Sequence, residues 1–186
     1  SLAPTGADPQ TILADGTSTP IDVNANQLNP DTFSTGGVAE FHLTDPVVGL
    51  QGSNGARAPF VLMNLDTQGV GDVQVVYVLR DLDGSADNSI QPVALHYRIG
   101  ASGDFIKVPS AFVADATTGP SLATLVTPVA VTLPHEADDQ PLVQLRIMTA
   151  DATSTDEWVG IDDLSITASP LSVILEEFDA TPQPNH

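Results

Sequence analysis

The sequence contains no cysteine and is poor in basic and aromatic residues. Without a thiol, disulfides, thiolate metal sites and a cysteine nucleophile are excluded. The sequence has five Lys and Arg residues and 24 Asp and Glu residues, which gives a formal net charge of −19. A chain of this charge repels phosphate groups and attracts divalent cations, so we expect no nucleic-acid partner.

Long apolar runs are also missing, and the longest is far too short for a membrane helix, so we expect no membrane insertion. Few lysines, many Thr and Asp residues and no cysteine are typical of an extracellular bacterial protein. The chain begins at Ser1 rather than Met. We interpret this start as a mature protein exported by a removed signal peptide, or alternatively as a trimmed chain.

What remains is a β pattern from end to end. Short runs rich in Val, Ile, Leu and Thr alternate with Gly, Pro, Asp and Asn, and 15 prolines and 14 glycines oppose long helices. We predict an all-β fold, a two-sheet antiparallel β-sandwich of jelly-roll type with about 9–11 strands. An N-terminal tail (1–20) precedes the sandwich (21–168), and an appended strand and tail (169–186) follow it. The predicted strands cover residues 38–43, 60–65, 73–80, 93–99, 105–108, 129–133, 142–148, 158–167 and 172–178, with shorter candidates at 11–14 and 21–23.

One acidic motif follows the strand at 73–80. Asp81, Asp83, Asp87 and Asn88 alternate with other residues around Gly84. Alternating oxygen ligands with a glycine turn suit a hard cation such as calcium. The alternative is a hairpin loop whose Asp and Asn side chains cap their own backbone. The first interpretation makes these four residues calcium ligands.

A second acidic stretch, at 156–166, adds Asp156 and Asp162 as candidate calcium ligands. Asp162 and Asp163 are adjacent in a predicted strand, so their side chains should point to opposite faces. The one that points inward needs a metal, an arginine or backbone donors. Arg98 and Arg146, both in predicted strands, are candidate partners, and an ion pair is the preferred interpretation.

The same stretch contains the only tryptophan, Trp158. An exposed tryptophan on a secreted β-sandwich would be a candidate carbohydrate-binding residue, together with Tyr77 or Tyr97. Trp158 precedes Val159 in an apolar strand, however, which favours a place in the core.

Several segments together resemble a known family. They are 79–88, 91–100, 113–120, 122–128, 143–149 and 156–166, in this order and spacing. They resemble a β-sandwich accessory domain of secreted bacterial proteins, which often lies beside extracellular nuclease or phosphoesterase domains and cell-surface anchors. The resemblance covers residues 33–167 and implies fold and location, without an assigned chemistry.

Beyond the resemblance, residues 168–170 (Ala-Ser-Pro) predict an interruption before one more apolar strand. That strand either folds back onto its own sheet or is donated to a neighbouring copy. Donation would make five apolar residues the self-assembly contacts, namely Leu171, Val173, Ile174, Leu175 and Phe178.

Three functions remain open. The preferred hypothesis is a non-catalytic structural subunit of an extracellular assembly (a filament, surface layer or matrix), stabilised by calcium and joined by self-association. The alternative is a carbohydrate- or surface-binding module of a secreted hydrolase, with a glycan or cell surface as partner. An enzyme is the third, but the sequence contains no Gly-x-Ser-x-Gly motif and no paired histidines at metal-ligand spacing.

Overall fold

The protein is an all-β jelly-roll sandwich, as predicted. A computed structural model describes residues 3–15, 23–84, 89–117 and 123–172. These residues form ten strands and three short 3-10 turns, and none of their helices is long and apolar enough to span a membrane. The strands are β1 (Asn24–Gln27), β2 (Gly37–Phe41), β3 (Val47–Gln51), β4 (Phe60–Leu65), β5 (Val70–Asp81), β6 (Ala94–Ile99), β7 (Ile106–Lys107), β8 (Val126–Thr132), β9 (Val143–Met148) and β10 (Val159–Pro170).

The strands form two sheets. The larger sheet has the order β1-β2-β3-β10-β5-β8, and the smaller has the order β4-β9-β6-β7. Neighbouring strands are antiparallel except β1 and β2, which are parallel. The longest strands, β5 and β10, lie side by side from Val159 opposite Asp81 to Pro170 opposite Val70. This pairing brings the start of β10 to the end of β5, where the acidic residues lie.

The core lies between the two sheets and follows from the alternation of the sequence. Along β5, Val73, Val75, Tyr77 and Leu79 are all buried, while the residues between them are at least partly exposed. They pack in one cluster with residues of β6 and β9 such as Leu145. Each buried side chain of this kind contributes about 1.5–3 kcal/mol.

The outer face of the smaller sheet is covered by the N-terminal segment 3–15. Arg146 of β9 is fully buried there, with its guanidinium 3.9 Å from the centre of the Phe105 ring. Its Nη1 donates to the carbonyl of Ala14 at 3.1 Å, and its Nη2 donates to the carbonyl of Ile12. Arg146 therefore fixes the segment that forms one wall of the cleft described below.

Two departures from the sequence prediction are a strand that was not predicted and a predicted strand that the structure does not contain. Strand β3 was not predicted because Gly49 interrupts its apolar run. A Cβ at Gly49 would lie 3.0 Å from the Phe41 ring and 3.1 Å from the Trp158 ring, so close packing requires glycine there. The candidate strand at 11–14 is wrong. The side chain of Asp8 caps a 3-10 turn, Pro9–Thr11, through the amide of Gln10.

The interruption predicted at 168–170 is also wrong, because β10 continues to Pro170. Pro170 pairs with Val70 of β5 only, and β3 pairs with β10 no further than Ile161 opposite Val48. Proline lacks an N–H group, but at an edge of this kind no ladder hydrogen bond is lost.

Candidate functional site

A polar cleft lies at one end of the sandwich. Its walls come from the β3–β4 loop, the β9–β10 loop and the N-terminal segment. The cavity has a volume of about 370 Å³, and a second cavity of about 290 Å³ adjoins it through Asp151, Ala152 and Thr153. Ten residues with hydroxyl, amide or carboxylate side chains line the first cavity, namely Thr5, Ser34, Gln51, Ser53, Asn54, Asp151, Thr153, Ser154, Thr155 and Asp156. We call these two adjoining cavities the polar cleft.

Two carboxylates form the floor of the polar cleft. Asp156 Oδ1 accepts hydrogen bonds from the Ala152 amide at 2.7 Å and from Gln91 Nε2 at 3.0 Å. Asp151 is 5% exposed, and its carboxylate accepts a hydrogen bond from Thr5 Oγ1 at 2.6 Å. Burial raises the pKa of Asp156, and the negative charge of Asp151 raises it further. The pair can accept hydrogen bonds from a hydroxylated ligand, and Asp156 can hold a proton.

Gly52 allows the loops to meet at this floor. A Cβ at position 52 would lie 2.4 Å from the Cα of Asp151 and 2.6 Å from Asp156 Oδ1. The backbone of the β3–β4 loop thus passes directly against the carboxylate pair, which no larger residue permits. Gln51 adds a hydrogen bond from its Nε2 to the carbonyl of Asp156 at 2.9 Å.

Glu157 lies next to Asp156 in the chain but belongs to a different group of acids. It is 2% exposed and stands beside Asp81 and Asp83, which are 1% and 8% exposed. Asp115, half-buried in the segment before β8, completes this group through its charge. We call Asp81, Asp83, Asp115 and Glu157 the acid cluster.

The acid cluster is strongly perturbed. Burial raises the pKa of Asp81 to about 7, and the charge of Glu157 adds to this shift. The pKa of Glu157 is also raised, first by burial and then by the charges of Asp83 and Asp115. Within the described ranges, no three acidic or histidine side chains already converge as metal ligands. The calcium prediction for Asp81 and Asp83 therefore stays a prediction.

The loop after β5 also has the turn geometry of the alternative interpretation. Asp81 Oδ1 accepts a hydrogen bond from the amide of Asp83 at 3.2 Å, as an aspartate capping its own turn does. The remaining predicted ligands of that motif, Asp87 and Asn88, lie outside the described residues.

Asp162 is not in the polar cleft or the acid cluster. Its Oδ2 accepts a hydrogen bond from Arg80 Nη1 at 2.6 Å. The preferred ion-pair interpretation is thus confirmed, but the partners named from sequence, Arg98 and Arg146, are wrong. They lie on β6 and β9 of the smaller sheet, whereas Arg80 is opposite Gly160 on the adjacent strand β5.

The prediction that Asp162 or Asp163 points into the core is also wrong. Asp163 has a φ of 50° at a register shift between Asp162 and Ser165, and its amide donates to Asp162 Oδ1 at 2.8 Å. This bulge interrupts the two-residue alternation on which the prediction rested. Asp163 is exposed, and Asp162 is only partly buried against Arg80.

Trp158 is a core residue, so its candidate role as a surface ligand-binding residue is wrong. It is fully buried, its Nε1 donates to the carbonyl of Phe33 at 2.6 Å, and its ring stacks on the Phe33 ring at 5.7 Å. Tyr77 and Tyr97 are buried as well. No aromatic side chain in the described part of the chain is exposed, so aromatic stacking does not characterise the surface there.

Of the predicted self-assembly residues, only Leu171 lies within the described ranges. Its side chain is exposed, and its amide donates to the carbonyl of Gly69 at 2.9 Å, within the same chain. Val173, Ile174, Leu175 and Phe178 lie outside the described residues.

Comparisons with known proteins place the fold. No family model matches the chain, and no curated protein matches it. Among solved structures, one concerned with the promiscuous specificity of carbohydrate-binding modules of the β-sandwich superfamily is 11% identical. The match covers 78% of this chain and 63% of the matched chain, with a TM-score of 0.50.

Two further solved structures are more distant by TM-score. TmCBM61 in complex with β-1,4-galactotriose is 12% identical in sequence, with a TM-score of 0.44. The match covers 69% of this chain and 74% of the matched chain. CBM28, a carbohydrate-binding module specific for non-crystalline cellulose, is 13% identical in sequence, with a TM-score of 0.47. The match covers 80% of this chain and 99% of the matched chain. The first of these structures, at 11% identity and a TM-score of 0.50, shows that the chain shares its β-sandwich fold.

Sequence reasoning placed Asp156, Asp81 and Asp83 near these sites but missed Asp151, Gly52 and Asp115, and gave Glu157 no role. Asp156 and Glu157 were read as one acidic stretch. The available signal was their adjacency just before a strand, since extended neighbours point to opposite sides.

Proposed function

We propose that the protein is a non-catalytic carbohydrate-binding module of a secreted protein and that it holds its glycan in the polar cleft. The observation that carries this proposal is the lining of the cleft by hydroxyl, amide and carboxylate groups from three separate segments. Sugars are recognised by such convergent donors and acceptors. The shared fold supports this function over the structural subunit that we preferred from the sequence.

The chemistry of the floor fits a neutral, hydroxyl-rich ligand. The two carboxylates of Asp151 and Asp156 accept hydrogen bonds from sugar hydroxyls, whereas the formal charge of −19 disfavours an acidic polysaccharide. Phe112, half-buried in the second cavity, is the one aromatic residue among the described residues that line the cleft, so recognition rests mainly on hydrogen bonds. Such binding is weaker and more dependent on geometry than stacking on a tryptophan.

The test is isothermal titration calorimetry with soluble neutral polysaccharides, including a β-1,4-galactan, a β-glucan and a mannan. The variant is Asn54→Ala, which removes an exposed amide at the rim of the cleft. Its matched control is Asn64→Ala, an exposed amide on the smaller sheet that donates nothing to the cleft. We expect Asn54→Ala to weaken binding about 5-fold or more, the effect of a lost hydrogen bond of about 1 kcal/mol.

Three outcomes would contradict the proposal. No binding to any polysaccharide rejects the carbohydrate function. Loss of binding in Asn64→Ala but not in Asn54→Ala moves the site to the sheet face. Release of new reducing ends during the titration would make the Asp151–Asp156 pair hydrolytic.

A further inference from the structure

The acid cluster holds four carboxyl groups that the polar cleft does not use. Strand pairing brings them together, because Val159 lies opposite Asp81 and the Leu82 amide donates to the carbonyl of Trp158 at 3.0 Å. Glu157 thereby meets the turn that contains Asp83. The cluster therefore arises from three segments: the turn with Asp81 and Asp83, the segment of Asp115, and Glu157, which is about 75 residues from that turn in sequence.

One atom of the cluster is unexplained by the protein itself. Glu157 Oε2 is buried and has no hydrogen-bond partner, and the whole residue is only 2% exposed. A buried carboxylate oxygen without a donor is costly. Its position beside the charges of Asp81, Asp83 and Asp115 makes the cost larger.

Four of the five basic residues of the protein are engaged elsewhere, and one of them, Arg57, contacts Asp151 of the polar cleft. Arg80 contacts Asp45 and Asp162, Arg98 contacts Asp15, and Arg146 holds the N-terminal segment. Within the described ranges, neither Asp81, Asp115 nor Glu157 forms an ion pair with any arginine or lysine. Within the part of the chain that the structure describes, positive charge beside Asp81, Asp115 and Glu157 must therefore come from protons or from a bound cation.

We propose that the acid cluster binds one calcium ion, with Glu157 Oε2 as a ligand beside the carboxylates of Asp81 and Asp83. Oxygen ligands of mixed origin at a turn are the ligands that calcium prefers. These side chains do not converge as ligands in the structure, so the proposal requires that they move together when the ion binds. The ion supplies the partner that Glu157 Oε2 lacks and stabilises the junction of β5 and β10.

This site is separate from the glycan site and can be tested without any sugar. Protein treated with a chelator and exchanged into metal-free buffer at neutral pH is titrated with Tb³⁺, which takes the same oxygen ligands as calcium. Trp158 adjoins Glu157 and is the only tryptophan, so it should sensitise Tb³⁺ emission from this site. Calcium should then displace the Tb³⁺, and calcium alone should raise the Tm.

The test variant is Glu157→Gln, which keeps the shape of the side chain and removes its charge. Its control is Asp104→Asn, which removes the same charge from an exposed residue. We expect wild type and Asp104→Asn to bind one equivalent of Tb³⁺ at this site. Glu157→Gln should lose affinity by more than about tenfold, the loss seen even for outer-shell changes at metal sites.

The proposal is overturned if wild type shows no saturable Tb³⁺ or calcium effect, or if Glu157→Gln binds as tightly as wild type. It is also overturned if Asp104→Asn weakens binding equally, because the effect is then diffuse screening. If Glu157→Gln does not fold by circular dichroism, Asp83→Asn is measured in the same way and decides between the outcomes.

Discussion

Protonation of His96 should release the N-terminal segment from the smaller sheet. His96 is fully buried on β6, and its Nδ1 lies 3.2 Å from Arg146 Nε and 3.0 Å from Arg146 Nη2. An imidazole that accepts from a guanidinium must be neutral at that nitrogen. Burial and then the charge of Arg146 lower the pKa of His96 from 6.5 to about 4, against smaller opposing contributions from the Pro9 backbone and the charge of Asp8.

The magnitude follows from this difference in pKa. Between pH 6.5 and about 4 the unfolded chain binds a proton at His96 that the folded protein does not bind. The free energy of unfolding is therefore fully retained above pH 6.5 and falls as the pH is lowered through this window. At about 1.4 kcal/mol for each pKa unit, His96 alone costs about 3 kcal/mol by pH 4.

The assay is urea unfolding of wild type and His96→Asn from pH 8 to pH 4. The raised pKa values of Asp81, Asp156 and Glu157 act in the opposite direction, stabilising the fold as pH falls. These effects are common to both proteins and cancel in the difference between them. We expect that difference to shrink by about 3 kcal/mol over the acidic window. A difference that changes by less than about 1 kcal/mol would refute a neutral, buried His96.

Three further predictions follow from single contacts. Gly52→Ala should destabilise the fold by about 1–3 kcal/mol, because the new methyl group overpacks against Asp151, and it should also lower glycan affinity. In the control Gly55→Ala the new Cβ meets only Ser53 Oγ at 3.9 Å, so calorimetry should show no change in stability or affinity. Arg80→Met should lower the free energy of unfolding by about 1 kcal/mol, because it removes the ion pair between Arg80 and Asp162, whose side chains are only partly exposed. Asp45→Asn, where the Asp45 side chain is 73% exposed, should change it by less than about 0.5 kcal/mol, and equal effects would contradict this assignment. Trp158 fluorescence should resist acrylamide quenching and stay unchanged at saturating glycan; a ligand-dependent shift would show that the core around Phe33 and Phe41 opens.

Much of the fold could be predicted from local pattern. The alternation in β5 and the apolar runs of β4 and β9 were located to within a few residues, because side chains on a strand alternate between faces. The core position of Trp158 was favoured for the same reason. Predictions that relied on an unbroken pattern were wrong where it breaks, at Gly49 and at the bulge of Asp163.

The candidate sites were predicted less well. Acidic residues were noticed as runs, so Asp156 and Glu157 were treated alike, although one enters the polar cleft and the other the acid cluster. The partner of Asp162 was sought among arginines in predicted strands, and the sequence held no information on which strand adjoins β10. Asp151, hydrogen-bonded to Thr5 near the other end of the chain, had no local signal at all.

The sequence by itself determined the all-β class, the inward faces of most strands and the acidic character of the surface, since each depends on composition or on spacing of two residues. Only the tertiary structure decided that β10 inserts between β3 and β5, and that the N-terminal segment closes one wall of the polar cleft. Such contacts join residues far apart in the sequence: Arg80 and Asp162 are 82 positions apart, and Thr5 and Asp151 are 146. Pairing over such distances depends on how whole sheets pack and not on the residues adjacent in the chain.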